Sequence, residues 1–123
     1  MNCPERTIFT ALAGGTVTQY YALEMAAAGT VTVCNAVTDD IVGWSNHAAT
    51  SGNPVEIQAG PIVLAACSAA INAGTRVGIN TSGLLTSTIA ASSTIAGIIL
   101  DTAAGSGSIV RLLVCPGGAK DNA

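Results

Sequence analysis

The stretch "DDIVGWSNHAATSGNPVEIQ", Asp39 to Gln58, has a counterpart in "STIAGIILDTAAGSGSIVRL", Ser93 to Leu112. A shift of 54 positions carries Ile41, Gly43 and Ala49 onto Ile95, Gly97 and Ala103, and Val55 and Ile57 onto Ile109 and Arg111. The match extends upstream, where Gly29, Val31 and Thr32 fall on Gly83, Leu85 and Thr86. Each copy reads as strand, Gly turn, strand, spacer, a strand carrying Ile-x-Gly, a Gly/Ser loop and a last strand. Two such copies predict a duplicated meander that closes into a small antiparallel β-barrel or sandwich, because closure removes the unpaired edges of a sheet.

The rest of the chain agrees with an all-β reading. "TVTVCNAV", "DIVGWS", "PVEIQ", "GPIVLA", "TRVGIN", "GLLTSTI", "TIAGIIL" and "SIVRLLV" are short β-branched runs bounded by Gly, Asn, Asp, Ser or Pro. "SGNP", "NTSG" and "AGSGS" between them supply residues that tolerate positive φ or pre-set a turn. "YYALEMAAA", Tyr20 to Ala28, has helical propensity, but its place in the repeat predicts a strand. "LAACSAAINAG", Leu64 to Gly74, is expected to be a loop with one helical turn. Gly43 and Gly97 interrupt strand patterns and are read as corners, bulges or points of close backbone approach.

A chain of 123 residues forms one domain. "MNCPERTIFTALAGGT" breaks the pattern, so residues 1–16 are expected to be an extended N-terminal arm, 17–115 a single barrel and 116–123 a disordered tail. The chain is 50% hydrophobic and only 9% charged. So few charges cannot keep a monomer's whole surface hydrated, and part of it is expected to be covered by other protein. Four scattered basic residues, Arg6, Arg76, Arg111 and Lys120, argue against nucleic-acid binding. The start lacks the pattern of a secretory signal, and the most apolar run, Ile62 to Ala70, is too short to span a membrane. The expectation is a soluble protein made inside a cell. Cys3, Cys34, Cys67 and Cys115 lie more than 30 residues apart, which predicts free thiols and no zinc spacing.

No reaction chemistry is expected. His47 and Ser45 lack the sharp nucleophile turn of a hydrolase relay, and Asp39 and Asp40 read as a turn entry. Glu24, Glu56 and Asp101 have no spacing that gathers them, and "AGSGS" lacks the lysine and helix of a phosphate loop. No cofactor or metal is implied. Trp44 stands where the second copy has Ile98, a core or interface position, which makes it a candidate subunit contact. Glu56 and Arg111 flank equivalent strands and are candidates for ion pairs within or between subunits.

The succession "AGGTVT", "DDIVGWSNHAATSGNPVEIQAGPIVL", "AINAGTRVGINTSGLLT" and "TIAGIILDTAAGSGSIVRLLV" resembles the capsid cement, or head decoration, proteins of tailed bacteriophages over residues 13–114. The shared pattern is structural glycines and strand alternation. The resemblance implies a β-barrel subunit that assembles as homotrimers on the outer surface of the expanded phage head. There it would bind the major capsid protein and stabilise the shell, after spending assembly in the host cytoplasm. "PERTIF" departs from the family pattern, and the arm residues Pro4, Ile8 and Phe9 are assigned to capsid contact from their break in composition. Two alternatives remain: another trimeric phage part such as a head fibre or tail component, and a small ligand- or carbohydrate-binding barrel in which Trp44, Tyr20 and Tyr21 would stack on sugar.

Overall fold

A computed structural model of the chain describes residues 6–89 and 93–114. These form β1 (Arg6–Ala13), β2 (Ala22–Ala27), β3 (Thr30–Val33), β4 (Gly43–Ser45), β5 (Pro54–Ala66), β6 (Arg76–Ile79), β7 (Leu85–Thr86), β8 (Ile95–Ile99) and β9 (Ile109–Val114). The described residues are all-β, as the alternating runs require. The sheet runs β1-β3-β2-β4-β5-β9-β8-β6-β7, and an added β1–β5 pairing closes its first five strands into a barrel.

The duplication is written into the hydrogen-bonded rungs. Ala22 opposite Trp44 and Leu23 opposite Gly43 recur as Arg76 opposite Ile98 and Val77 opposite Gly97. The parallel rung Ala13 to Val31 recurs as Cys67 to Leu85, and the bridge Val17 to Ala49 recurs as Ile71 to Ala103. One strand serves both copies. The first part of β5 closes the first half against β1, and its second part stands where β1 stood and pairs with β9.

The structure corrects the last strand of the repeat. Ser45 faces Ile57 and Ile99 faces Leu112, so beyond the Gly/Ser loop the shift is 55, not 54. Val55 and Ile57 correspond to Val110 and Leu112, and all four are buried, whereas Ile109 and Arg111 are exposed. The second loop carries one more residue, with Gly52 and Gly107 at matching positive φ of 86° and 87°. Because strand side chains alternate, a one-residue slip exchanges the inner and outer faces.

Other expectations also change. Residues 6–13, read as part of an arm, form a barrel strand paired with β5 from Arg6–Pro61 to Leu12–Pro54, with Ala13 and Val17 in the core. "PVEIQ" and "GPIVLA" join into one strand bent at the cis Gly60–Pro61 bond. Leu64–Ala66 belongs to that strand and no helical turn follows it before Gly74. Residues 20–28 do give a strand, β2, in which tertiary pairing overrides alanine's helical preference. Gly43 and Gly97 are points of close approach: a Cβ on Gly43 would overlap Ile57 and the Gln58 carbonyl, and one on Gly97 the Leu113 carbonyl.

Two apolar clusters result. Ala13, Val17, Leu23, Val31, Val55 and Ile57 fill the closed barrel. The larger cluster gathers Val63, Val77, Ile79, Leu85, Ile99, Val110 and Leu112 of the second half, together with Ala22, Cys34 and Trp44 from the first. The outer face of β2 and β4 in the first half is thus the floor on which the second half packs, while the outer face of β1 stays exposed. The bend in β5 is held by Gln58, whose Oε1 accepts from Leu64 N–H at 3.0 Å and whose Nε2 donates to Leu64 C=O at 3.3 Å.

Candidate interaction surface

Polar side chains in the described residues serve mainly to fix loops. His47 Nε2 accepts from the Glu56 N–H at 3.2 Å, and its Nδ1 lies 2.9 Å from the Ala48 carbonyl. Ser45 is buried; its hydroxyl donates to the Thr18 carbonyl and accepts from Tyr21 N–H at 3.2 Å. No Ser-His-acid relay is assembled among the described residues. Asp39 Oδ2 accepts from the N–H groups of Asn35 and Ala36, both at 2.9 Å, which is the turn read from "TDD".

The repeat places unlike chemistry at like positions. Asp101 stands where His47 stands, and its Oδ2 accepts from the Arg111 N–H at 2.9 Å, as His47 accepts from Glu56. Arg111 then folds back onto Asp101 in a two-pronged ion pair, with Nη2 to Oδ1 at 2.8 Å and Nε to Oδ2 at 3.1 Å. The guanidinium's hydrogen bonds hold the Asp101 carboxyl down at about 2. Glu56, expected as a possible partner of Arg111, accepts instead from Asn46 Nδ2 at 3.1 Å.

One grouping escaped the sequence reading. Ligand atoms of Glu24, Cys34 and Asp39 lie within 4.8 Å of one another. Burial, reinforced by the nearby Asp39 and Glu24, pushes the Cys34 thiol up to about 12. Burial and a hydrogen bond to Asp39 also raise Glu24. The Cys34 thiol therefore stays protonated at neutral pH, and a nucleophilic thiolate is not available there. No spacing rule links these residues, because the fold joins a strand, a strand end and a turn. Cys67 is also buried; Cys3 and Cys115 lie outside the described residues.

Trp44, a candidate subunit contact, is 1% exposed and packs inside the chain's own second core, with its indole N–H unpartnered. It is removed from any surface, and the sugar-stacking trio is broken with it. Tyr20 and Tyr21 line an open cleft of about 340 Å³ with Gln19, Leu84 and Ile109. Pro4 lies outside the described residues. Ile8 and Phe9 are on β1, exposed by 44% and 38%. Glu56 and Arg111 are both exposed. The surface also carries an apolar set the sequence reading passed over: Ile62 and Leu64 on β5, Ile98 on β8, and Ile109 and Leu113 on β9. Ile62 faces Leu113, and Leu113 faces Ile98, so three of them form one continuous row.

Neither a protein-family model nor a curated protein matches this chain. Among solved structures, the chain is similar to the N base of the head fiber protein gp8.5 of bacteriophage phi29. The two share 17% identity and superpose with a TM-score of 0.69 over 93% of this chain and 98% of that one. At that identity the likeness establishes a common fold.

Proposed function

We propose that the chain is a structural protein of a bacteriophage head, a decoration protein that docks as a homotrimer on the major capsid protein at the outer surface of the expanded shell and stabilises it. The observation that carries this reading is the fold likeness to the phi29 head-fiber base along nearly the whole chain. The arrangement of polar groups supports it, since they close turns and pair strands instead of converging on a cleft. Exposed Ile8 and Phe9, with Pro4 before them, are proposed as shell contacts. Sparse charge and uncovered apolar side chains favour a homo-oligomer, whose valency multiplies weak contacts. The same fold likeness favours a second reading, the base of a head fibre.

Co-sedimentation of the purified protein with undecorated shells, immature and expanded, tests both readings. Saturable binding that raises the melting temperature of expanded shells is the decoration result. Saturable binding without that rise is the fibre-base result, and absence of binding to either shell overturns both. Because residues 6–13 form a barrel strand, the shell contact is tested by Ile8→Ser with Phe9→Ser, not by deleting the segment. That variant should fold as before and bind at least about tenfold more weakly.

A further inference from the structure

We propose that the outer face of the second half, centred on Ile62, Ile98 and Leu113, docks head to tail on the outer face of the first half of a second copy of this chain. The inference rests on the homo-oligomer reading above and names its interface.

The repeat supplies the argument. In the first half, Ala22, Trp44 and Gln58 are successive rung partners across β2, β4 and β5, and all are at most 4% exposed. Ala22 and Trp44 are buried because the second half packs on that face. The same rungs in the second half are Arg76, Ile98 and Leu113, continued by Ile62. Here nothing in the described chain covers them: Ile62, Ile98 and Leu113 are 42%, 41% and 43% exposed. The fold thus presents, on its last repeat, an apolar version of the face that its first repeat buries against a neighbour.

Charge selects the neighbour. Residues 1–60 hold Arg6 against Glu5, Glu24, Asp39, Asp40 and Glu56, a net of −4, whereas residues 61–123 hold Arg76, Arg111 and Lys120 against Asp101 and Asp121, a net of +1. The second-half face carries Arg76 beside the Arg111–Asp101 ion pair, a formal net of one positive charge, so docking that face on itself would set two positive faces together. In the first half, the outer face of β1 and the start of β5 stays uncovered and carries the Glu56 carboxylate. There Leu12, 48% exposed, pairs with Pro54, and Thr10 pairs with Glu56. Two different faces in contact make a heterologous interface, which closes into a ring when the rotation per subunit allows.

Sedimentation velocity over a wide concentration range tests this with three proteins. Wild type should associate. Leu113→Glu, on the second-half face, and Leu12→Arg with Glu56→Arg, on the first-half face, should each weaken association at least about tenfold, with the circular dichroism spectrum unchanged. A mixture of the two variants should form one-to-one dimers, because each keeps the intact face the other lacks. A monomeric wild type overturns the homo-oligomer reading. An oligomer indifferent to Leu113→Glu overturns the second-half face alone. Loss with Leu113→Glu but not with the first-half variant overturns the head-to-tail pairing.

Discussion

Replacing Gln58 by Met tests the account of how the two halves are held at their junction. Gln58 is 4% exposed and makes two good hydrogen bonds to the Leu64 backbone, at 3.0 and 3.3 Å, across the bend of β5. Methionine matches its length and fills the same space without a polar end. Each lost bond is worth about 1 kcal/mol net, and the stranded Leu64 N–H and C=O, both part-buried, add about 1 kcal/mol more. The expected destabilisation is about 3 kcal/mol, which for a chain of this length lowers the melting temperature by about 12 °C. Ser87→Met, at an exposed position away from both faces, is the control. Thermal and urea unfolding followed by circular dichroism give both values. If Gln58→Met melts within about 2 °C of wild type, the clamp does not hold the bend and the reasoning fails. Gln58→Glu is a further check: it keeps the acceptor for Leu64 N–H but puts a carboxylate in a buried site, so its deficit should grow as pH rises from acid to neutral.

Gly97→Ala should cost at least about 3 kcal/mol, since φ there is 152° and a Cβ meets the Leu113 carbonyl; Gly105→Ala, with open space around it, is the control in the same melts. Carbon-detected NMR titration should place Asp101 at about 2, and because this folded value lies below the ordinary 3.8, its stabilising contribution is present above that range and fades as pH falls toward 2. Glu24 has the opposite sign: its raised value means that the fold favours the protonated form, so Glu24→Gln should be more stable than wild type at neutral pH, and the gap should close in acid. Cys34 should resist a thiol reagent at pH 8 in the folded protein and react after denaturation; rapid labelling of the native thiol would contradict its burial and raised pKa.

The anchors of the repeat were legible because glycine has no substitute where two backbones meet. Gly43 and Gly97 therefore appear in both copies while most side chains around them have drifted. The slip from 54 to 55 was not legible, since an extra glycine or serine in a loop leaves no periodic trace; it shows only when Val110 and Leu112 are found inside. β1 was missed because its side chains do not alternate: Ile8, Phe9 and Thr10 are all exposed. Trp44 was located correctly on a core-or-interface position, but only packing decides between the two, and the second half covers it. Gln58 and the Glu24–Cys34–Asp39 grouping depend on a bend and a turn bringing distant atoms together, which strand patterning does not encode. The surface row Ile62–Leu113–Ile98 was present in the letters as ordinary strand residues, and only the register assigns them to the outside.

The described residues begin and end beside the bend of β5. Arg6 pairs with Pro61, Leu113 pairs with Ile62, and Val114 sits against Gly60, so both ends of the described body meet at the midpoint of the same strand. The molecule is therefore topologically close to a circle. A permuted gene that joins Val114 to Arg6 through a short linker and opens the chain beside Gly105 would keep every strand rung. A label attached at Arg6 or at Val114 would leave the described body from one and the same point.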